Sequence, residues 1–146
     1  MGKRIRKKRR VVSVADKLMA KLERLQRLVV IKRDGGVCLL KNSVPIINGC
    51  SNVLQADHFV TKKRGNMFTK FDLRNLNLVC SGHNMTKQWD NECSHELAKI
   101  IDIKHGPGTV DELYRIVREQ KGYKPPLEFF EEKIKYCEDF LSDDIF

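Results

Sequence analysis

The sequence predicts an α+β fold in which two short strands and a helix form a small core inside a mainly helical chain. Three observations lead there. Apolar residues recur with helical period over 14–31, 93–104 and 127–141. Two short strand-like stretches, 53–60 and 76–80, lie between these helices. Five cysteines, Cys38, Cys50, Cys80, Cys93 and Cys137, are interspersed with histidines, and the basic N-terminus has no apolar segment of the kind that marks export. An odd cysteine count in a reducing compartment points to metal rather than to a disulfide framework.

Each element has its own signal. In 14–31, Leu18, Leu22, Leu25 and Val29 share one helix face, Ser13 is a suitable N-cap, and Asp34-Gly35-Gly36 stops the helix. Lys17, Lys21, Arg24 and Arg27 line the opposite side. Residues 37–50 read as a strand or loop pair with a turn near 42–45. Residues 61–70 read as a basic loop around Gly65. A helix is expected to start at Asn84. The next, over 93–104, presents Leu97, Ile100 and Ile101 and breaks at Gly106-Pro107-Gly108, with His105 as a cation at its C-terminal end. Thr109 with Glu112 three residues on predicts a capping box. Pro125-Pro126 precedes the last helix, where Cys137 falls on the apolar face. The expected organisation is a basic disordered arm over 1–12, a helix over 13–34, a core over 35–92 and a helical extension over 93–146.

The charge balance narrows the function. The 146 residues carry 28 Lys and Arg against 19 Asp and Glu, a formal charge of +9. Apolar runs are too short to span a bilayer. Within 3–10, seven of eight residues are basic: Lys3, Arg4, Arg6, Lys7, Lys8, Arg9 and Arg10. Such a run cannot pack and is ordered by a polyanion if at all. The last twenty residues reverse the sign, seven acidic against two basic, so a nucleic acid should lie away from them.

Two clusters carry the chemistry. One is Asp57-His58, and the other is Asn75 with Cys80-Ser81-Gly82-His83-Asn84. Neighbours on a strand point to opposite faces, so Asp57 can bind a metal while His58 faces a substrate. A histidine neutral near pH 7 can take a proton from water. The Asn84 amide oxygen can join Asp57 on a hard cation such as Mg2+ or Mn2+.

That spacing resembles the HNH, or ββα-metal, endonuclease motif, in which Asp-His is followed by Asn-Leu-x-x-Leu-Cys-x-x-Cys-His. Here Leu78 stands one place early, His83 replaces the second Cys, and Asn84 replaces the last His. Asn in that place is similar to the HNN variant of the phage endonuclease VII type, which resolves Holliday junctions. Residues 24–141 also resemble the phage NinG (Rap) recombination nucleases, through the basic stretch before Gly and Cys38, through Ala56–Phe59, and through Val110–Leu113. NinG proteins usually have Gly where this chain has Asp57.

The resemblance implies a zinc-stabilised ββα-metal core. It makes His58 the general base, Asp57 and Asn84 the Mg2+ ligands, and Asn75 the residue that holds His58 in line. The products would be a 5′-phosphate and a 3′-hydroxyl. Cys80-x-x-His83 supplies one zinc knuckle. Cys38 opens the other, but Lys41 stands at the family's second Cys and Cys50 is the substitute. The expected Zn2+ ligands are therefore Cys38, Cys50, Cys80 and His83, with Cys93 and His95 as alternates. Lys62, Lys63, Arg64, Lys70 and Lys87 are expected on phosphate, and Trp89 in the core rather than stacked on a base. The implied partner is DNA, branched in form, cut inside the host cell of a phage or prophage. A homodimer through the apolar seam of 14–31 would supply two active sites for a symmetric cut. Two other readings stay open: an HNH enzyme that cuts or nicks ordinary duplex, and a non-catalytic zinc-bearing DNA-binding module.

Removing residues 1–10 is expected to weaken DNA binding and leave the melting temperature nearly unchanged. Each phosphate neutralised contributes about −0.9 to the slope of log K against log salt. With three or more arm residues on phosphate, the slope flattens by roughly three units. Titrations at several salt concentrations, full-length beside truncated protein, check this.

Overall fold

The computed structural model describes residues 10–46, 49–87 and 90–143. Lys3, Arg4, Arg6, Lys7, Lys8, Arg9 and Trp89 lie outside the described residues. Arg10 is exposed and lies 3.7 Å from Asp16.

Helix α1 spans Val14–Arg33. Ser13 caps it as its spacing predicts. Its hydroxyl accepts from the Asp16 N–H, and the Asp16 carboxylate accepts from the Ser13 N–H. Strand β1 (Leu54–His58) is followed by a one-turn helix α2 (Met67–Lys70), a 3-10 turn over Leu73–Asn75, and strand β2 (Leu76–Cys80). Helices α3 (Ser81–Thr86), α4 (Asn91–His105), α5 (Thr109–Glu119) and α6 (Leu127–Ser142) complete the chain.

The two strands pair antiparallel, with Leu54 opposite Cys80 and His58 opposite Leu76. One face of the sheet packs Leu76 and Leu78 with Ala56 beneath Val30 of α1. The other places Val79 against Leu97 and Ile101 of α4, in a core shared with Cys38, Cys80 and Cys93. That core runs without a break from the 35–92 segment into α4. Leu22 and Val29 of α1 pack with Phe71 and with Phe130, Ile134 and Cys137 of α6. The apolar seam of α1, expected as a dimer contact, is packed against α6 inside the one chain.

The end of α1 is anchored by Asp34, whose side chain is wholly buried. Its carboxylate accepts from the Arg33 guanidinium at 2.7 and 2.9 Å, from the backbone N–H of Leu78 at 3.0 Å, and from the Lys104 ammonium. Burial pushes the carboxyl up, but Arg33 and Lys104 outweigh it and hold it below its ordinary value. Arg33 also donates to the carbonyls of Leu73 and Leu76, and the Leu39 N–H to that of Leu78. The outer edge of β2 is thereby closed by side chains and loop. Gly35 and Gly36, at φ 71° and 68°, turn the chain away in the left-handed region that glycine adopts without strain.

Of the strand or loop pair expected over 37–50, residues 37–46 take the loop form, because their bonds are local, such as Lys41 N–H to Cys38 O and Val44 N–H to Leu40 O. Four expectations are corrected. The 61–70 loop contains α2, capped by Asn66 and Thr69 reciprocally. Helix α3 starts at Ser81, not Asn84, because the Cys80 sulfur accepts from the His83 N–H and acts as its cap. Thr109 is the first helical residue of α5 rather than its cap. Its hydroxyl donates to Gly106 O, and Glu112 pairs with Arg74 at 3.1 Å. His105 ends α4, but burial first, and then Arg33 and Lys104, push its pKa below 6.5, so it is neutral at pH 7. Among the described residues, no helix is long and apolar enough to cross a membrane.

Replacing Asp34 by Ala strands Lys104 and Arg33 and should cost about 3–5 kcal/mol, the usual effect of removing one partner of a buried pair. Chemical denaturation of both proteins measures it. The carboxyl is depressed in the folded state, so this gap is full above pH 3.8 and closes only as pH falls through the lower folded value.

Candidate metal centre and active site

Cys38 comes from the turn after α1, Cys50 from the stretch before β1, Cys80 from the end of β2, and His83 from the first turn of α3. Their four donor atoms lie within 4.8 Å of one another. The His83 Nδ1 is 3.4 Å from Cys38 Sγ, 3.5 Å from Cys50 Sγ and 3.1 Å from Cys80 Sγ. Zinc–sulfur and zinc–nitrogen bonds of about 2.3 and 2.05 Å at tetrahedral angles would separate S from N by about 3.6 Å. The donors thus stand close to the spacing of a tetrahedral site.

The ring is already oriented for this role. The His83 Nε2 lies 2.6 Å from the carbonyl oxygen of Val44, which can only accept. Nε2 therefore carries the hydrogen, and the Nδ1 lone pair faces the three sulfurs. All five cysteines are free thiols. Burial opposes ionisation of Cys80, yet the backbone N–H groups of His83 and Ser51 hold it down to about 6. Cys50 is pushed up to about 12, by burial first and by Cys38 and Cys80 next. Crowded thiols of this kind ionise together only around a cation. The Cys3His cluster can hold a metal ion such as zinc.

Neither alternate ligand belongs to the cluster. Cys93 is fully buried against Leu97, Ile101 and Cys38, and burial raises its pKa. His95 is exposed, because two residues along α4 carry it to the outer side.

The second group lies at the far end of β1. Asp57 and His58 alternate across the strand, as their adjacency predicts. His58 Nε2 is 3.0 Å from the Lys70 carbonyl, so it donates there and leaves Nδ1 as the basic lone pair. Burial first, and then the Lys62 and Lys70 charges, lower the pKa of His58 below 6.5. Asn75 is wholly buried. Its Oδ1 accepts from the Val60 N–H at 2.6 Å, and its Nδ2 donates to Val60 O and Thr69 O. It thereby pins both ends of the 60–69 loop beside His58.

Asp57, His58, Asn84, Gln55, Lys62 and Lys63 line one cavity of about 460 Å3. A second, of about 330 Å3, adjoins it at His58 and is walled by α1 through Glu23, Gln26 and Arg27. The Asn84 Nδ2 donates to Gln55 Oε1 at 2.7 Å, leaving its amide oxygen turned to other use. A carboxylate and an amide oxygen form a donor set suited to a hard divalent cation.

The expected phosphate contacts divide. Lys62, Lys63 and Arg64 are exposed and make no ion pair among the described residues. Lys70 instead pairs with Glu23 at 2.6 Å and lies over the Phe71 ring. Lys87 does not open the helix but ends it, and its ammonium pairs with the Asp57 carboxylate. Sequence reasoning missed that pair. The signal was the spacing, since Asn84 and Lys87 at i and i+3 share a helix face.

Comparison of the chain with family models, curated proteins and solved structures finds no match.

The native protein is expected to carry one zinc per chain, which elemental analysis measures. Cys80→Ser should lower the melting temperature sharply and release the metal, because a structural zinc couples about 10–16 kcal/mol of apparent binding energy to folding.

Proposed function

We propose that the protein is a metal-dependent endonuclease of the HNH type that hydrolyses phosphodiesters in DNA, with branched recombination intermediates as its substrate. One observation carries this reading: a neutral, oriented histidine shares a cation-lined cavity with a carboxylate and an amide oxygen. A phosphodiesterase needs a base in line with a water, and positive charge where the oxyanion develops. His58 meets the first need. Its Nε2–H is held by the Lys70 carbonyl, so Nδ1 can take a proton from water without turning the ring. Lys62 and Lys63 draw a phosphate to the rim. Asn75 holds the loop that carries them, so that base and phosphate keep their relation. Asp57 and Asn84 would hold a divalent cation, which when bound polarises the phosphoryl oxygen and stabilises the leaving 3′-oxygen. The Cys3His cluster, separate from this cavity, has the chemistry of a structural zinc site.

A second reading, a non-catalytic zinc-bearing DNA-binding module, is favoured by the Lys87–Asp57 pair, in which a cation of the chain itself already sits on the carboxylate.

The two separate in a cleavage assay on a labelled four-way junction and on its linear duplex arms, with and without Mg2+. The expected result is Mg2+-dependent cutting of the junction. In His58→Ala the rate should drop about 10²–10⁴-fold while DNA binding persists. Equal cutting of the linear arms would redirect the reading to a duplex nuclease. Cutting of neither substrate would leave the binding module.

A further inference from the structure

The Lys87 ammonium serves two acceptors at once, the Asp57 carboxylate and, at 3.1 Å, the carbonyl of His58. Both partners are largely shielded, the Lys87 side chain 10% and that of Asp57 15% exposed. Lys87 is the C-cap of α3, one turn after Asn84, and its ammonium meets the carboxylate of Asp57, which lines the same cavity as Asn84. Asp57 is the one carboxylate lining that cavity, among the described residues.

A divalent cation at Asp57 and Asn84 must therefore meet a lysine ammonium already on the carboxylate. Two cations on one shielded carboxylate repel each other, so each weakens the other's hold. The lysine stem is long and flexible, and its charged end can leave Asp57 if another anion offers itself nearby. A phosphate drawn to Lys62 and Lys63, at the rim of the same cavity, is such an anion.

We propose that Lys87 is a counter-cation latch on Asp57, released when a nucleic-acid phosphate takes its ammonium, so that phosphate and divalent cation bind this site cooperatively. The inference rests on reading Asp57 and Asn84 as a divalent-cation site. By linkage the effect is reciprocal: the phosphate raises cation affinity by the factor by which the cation raises phosphate affinity. The latch would keep the carboxylate neutralised until substrate arrives.

The test uses zinc-replete protein in a His58→Ala background, which keeps the DNA intact and retains the His58 carbonyl. Mn2+ affinity is measured by calorimetry with and without a short duplex, against a Mn2+–duplex blank. Lys87→Gln should tighten Mn2+ binding in the absence of DNA by about fivefold or more, at the low end of common coupling factors. It should also shrink the enhancement that the duplex brings, and Asp57→Asn should abolish Mn2+ binding. Unchanged Mn2+ affinity in Lys87→Gln, or no Mn2+ binding at all, overturns the proposal. If Lys87→Gln does not fold, the side-chain ammonium signal of Lys87 is followed by NMR in wild-type protein as Mg2+ is added. A shift toward the position found in Asp57→Asn supports the latch, and an unmoved signal overturns it. Mn2+ binding that Asp57→Asn abolishes but Lys87→Gln leaves unchanged overturns the latch alone, whereas no Mn2+ binding at all overturns the cation site on which both readings rest.

Discussion

Three stretches of chain, at Cys38, at Cys50 and at Cys80–His83, converge on one knot of soft donors, and the core between the sheet and α4 is built around it. Cys38 draws in the turns after α1, Cys50 fixes the approach to β1, Cys80 ends β2, and His83 begins α3. The two-stranded sheet has little apolar surface of its own, and a hairpin of that size is marginal in water. Tying both its strands and the following helix to a single cluster gives the small core a rigidity that its area alone would not. Cys80 serves twice, as a donor and as the cap of α3, so the metal site and the helix that carries Asn84 and Lys87 are set by one sulfur.

The same sheet is asymmetric at its edges, and that asymmetry positions the second site. The outer edge of β2 is closed by Asp34, Arg33 and Leu39. The cavities open instead along β1, beside Asp57 and His58. Cations gather at that opening from the 61–64 turn and from α1, while the acidic C-terminal helix packs behind α1 with Lys21 on Glu138. The opening thus has a cationic rim where a polyanion would approach. Within that rim Glu23 on Lys70 and Asp57 on Lys87 neutralise two lysines internally, which leaves Arg27, Lys62, Lys63 and Arg64 among the outward charges.

Local signals were legible wherever a residue's role depends on its near neighbours in sequence. Ser13 caps α1 because its partner, Asp16, is three residues away. The strand at 76–80 and most of that at 53–60 form where β-rich apolar runs sit between turn residues. In the donor set, Cys80 and His83 were readable from their spacing, while Cys38 and Cys50 came from the resemblance, with Cys93 and His95 left as alternates. Thr109 and Glu112 misled, because Arg74, remote in sequence, offers Glu112 a stronger charged partner than a backbone N–H would.

The sequence by itself determined the long helices, their apolar faces and the Cys80–His83 knuckle, since these follow from period, side-chain chemistry and short spacing. Only the tertiary structure decided which charges are available. Lys70 and Lys87 look like any other basic residue in the sequence, yet each finds a carboxylate more than twenty-five residues away, on Glu23 and Asp57. The seam of α1 likewise reads as an open interface until α6 covers it. Ion pairing and burial are set by distances through space, and nothing in the order of residues along the chain encodes them locally.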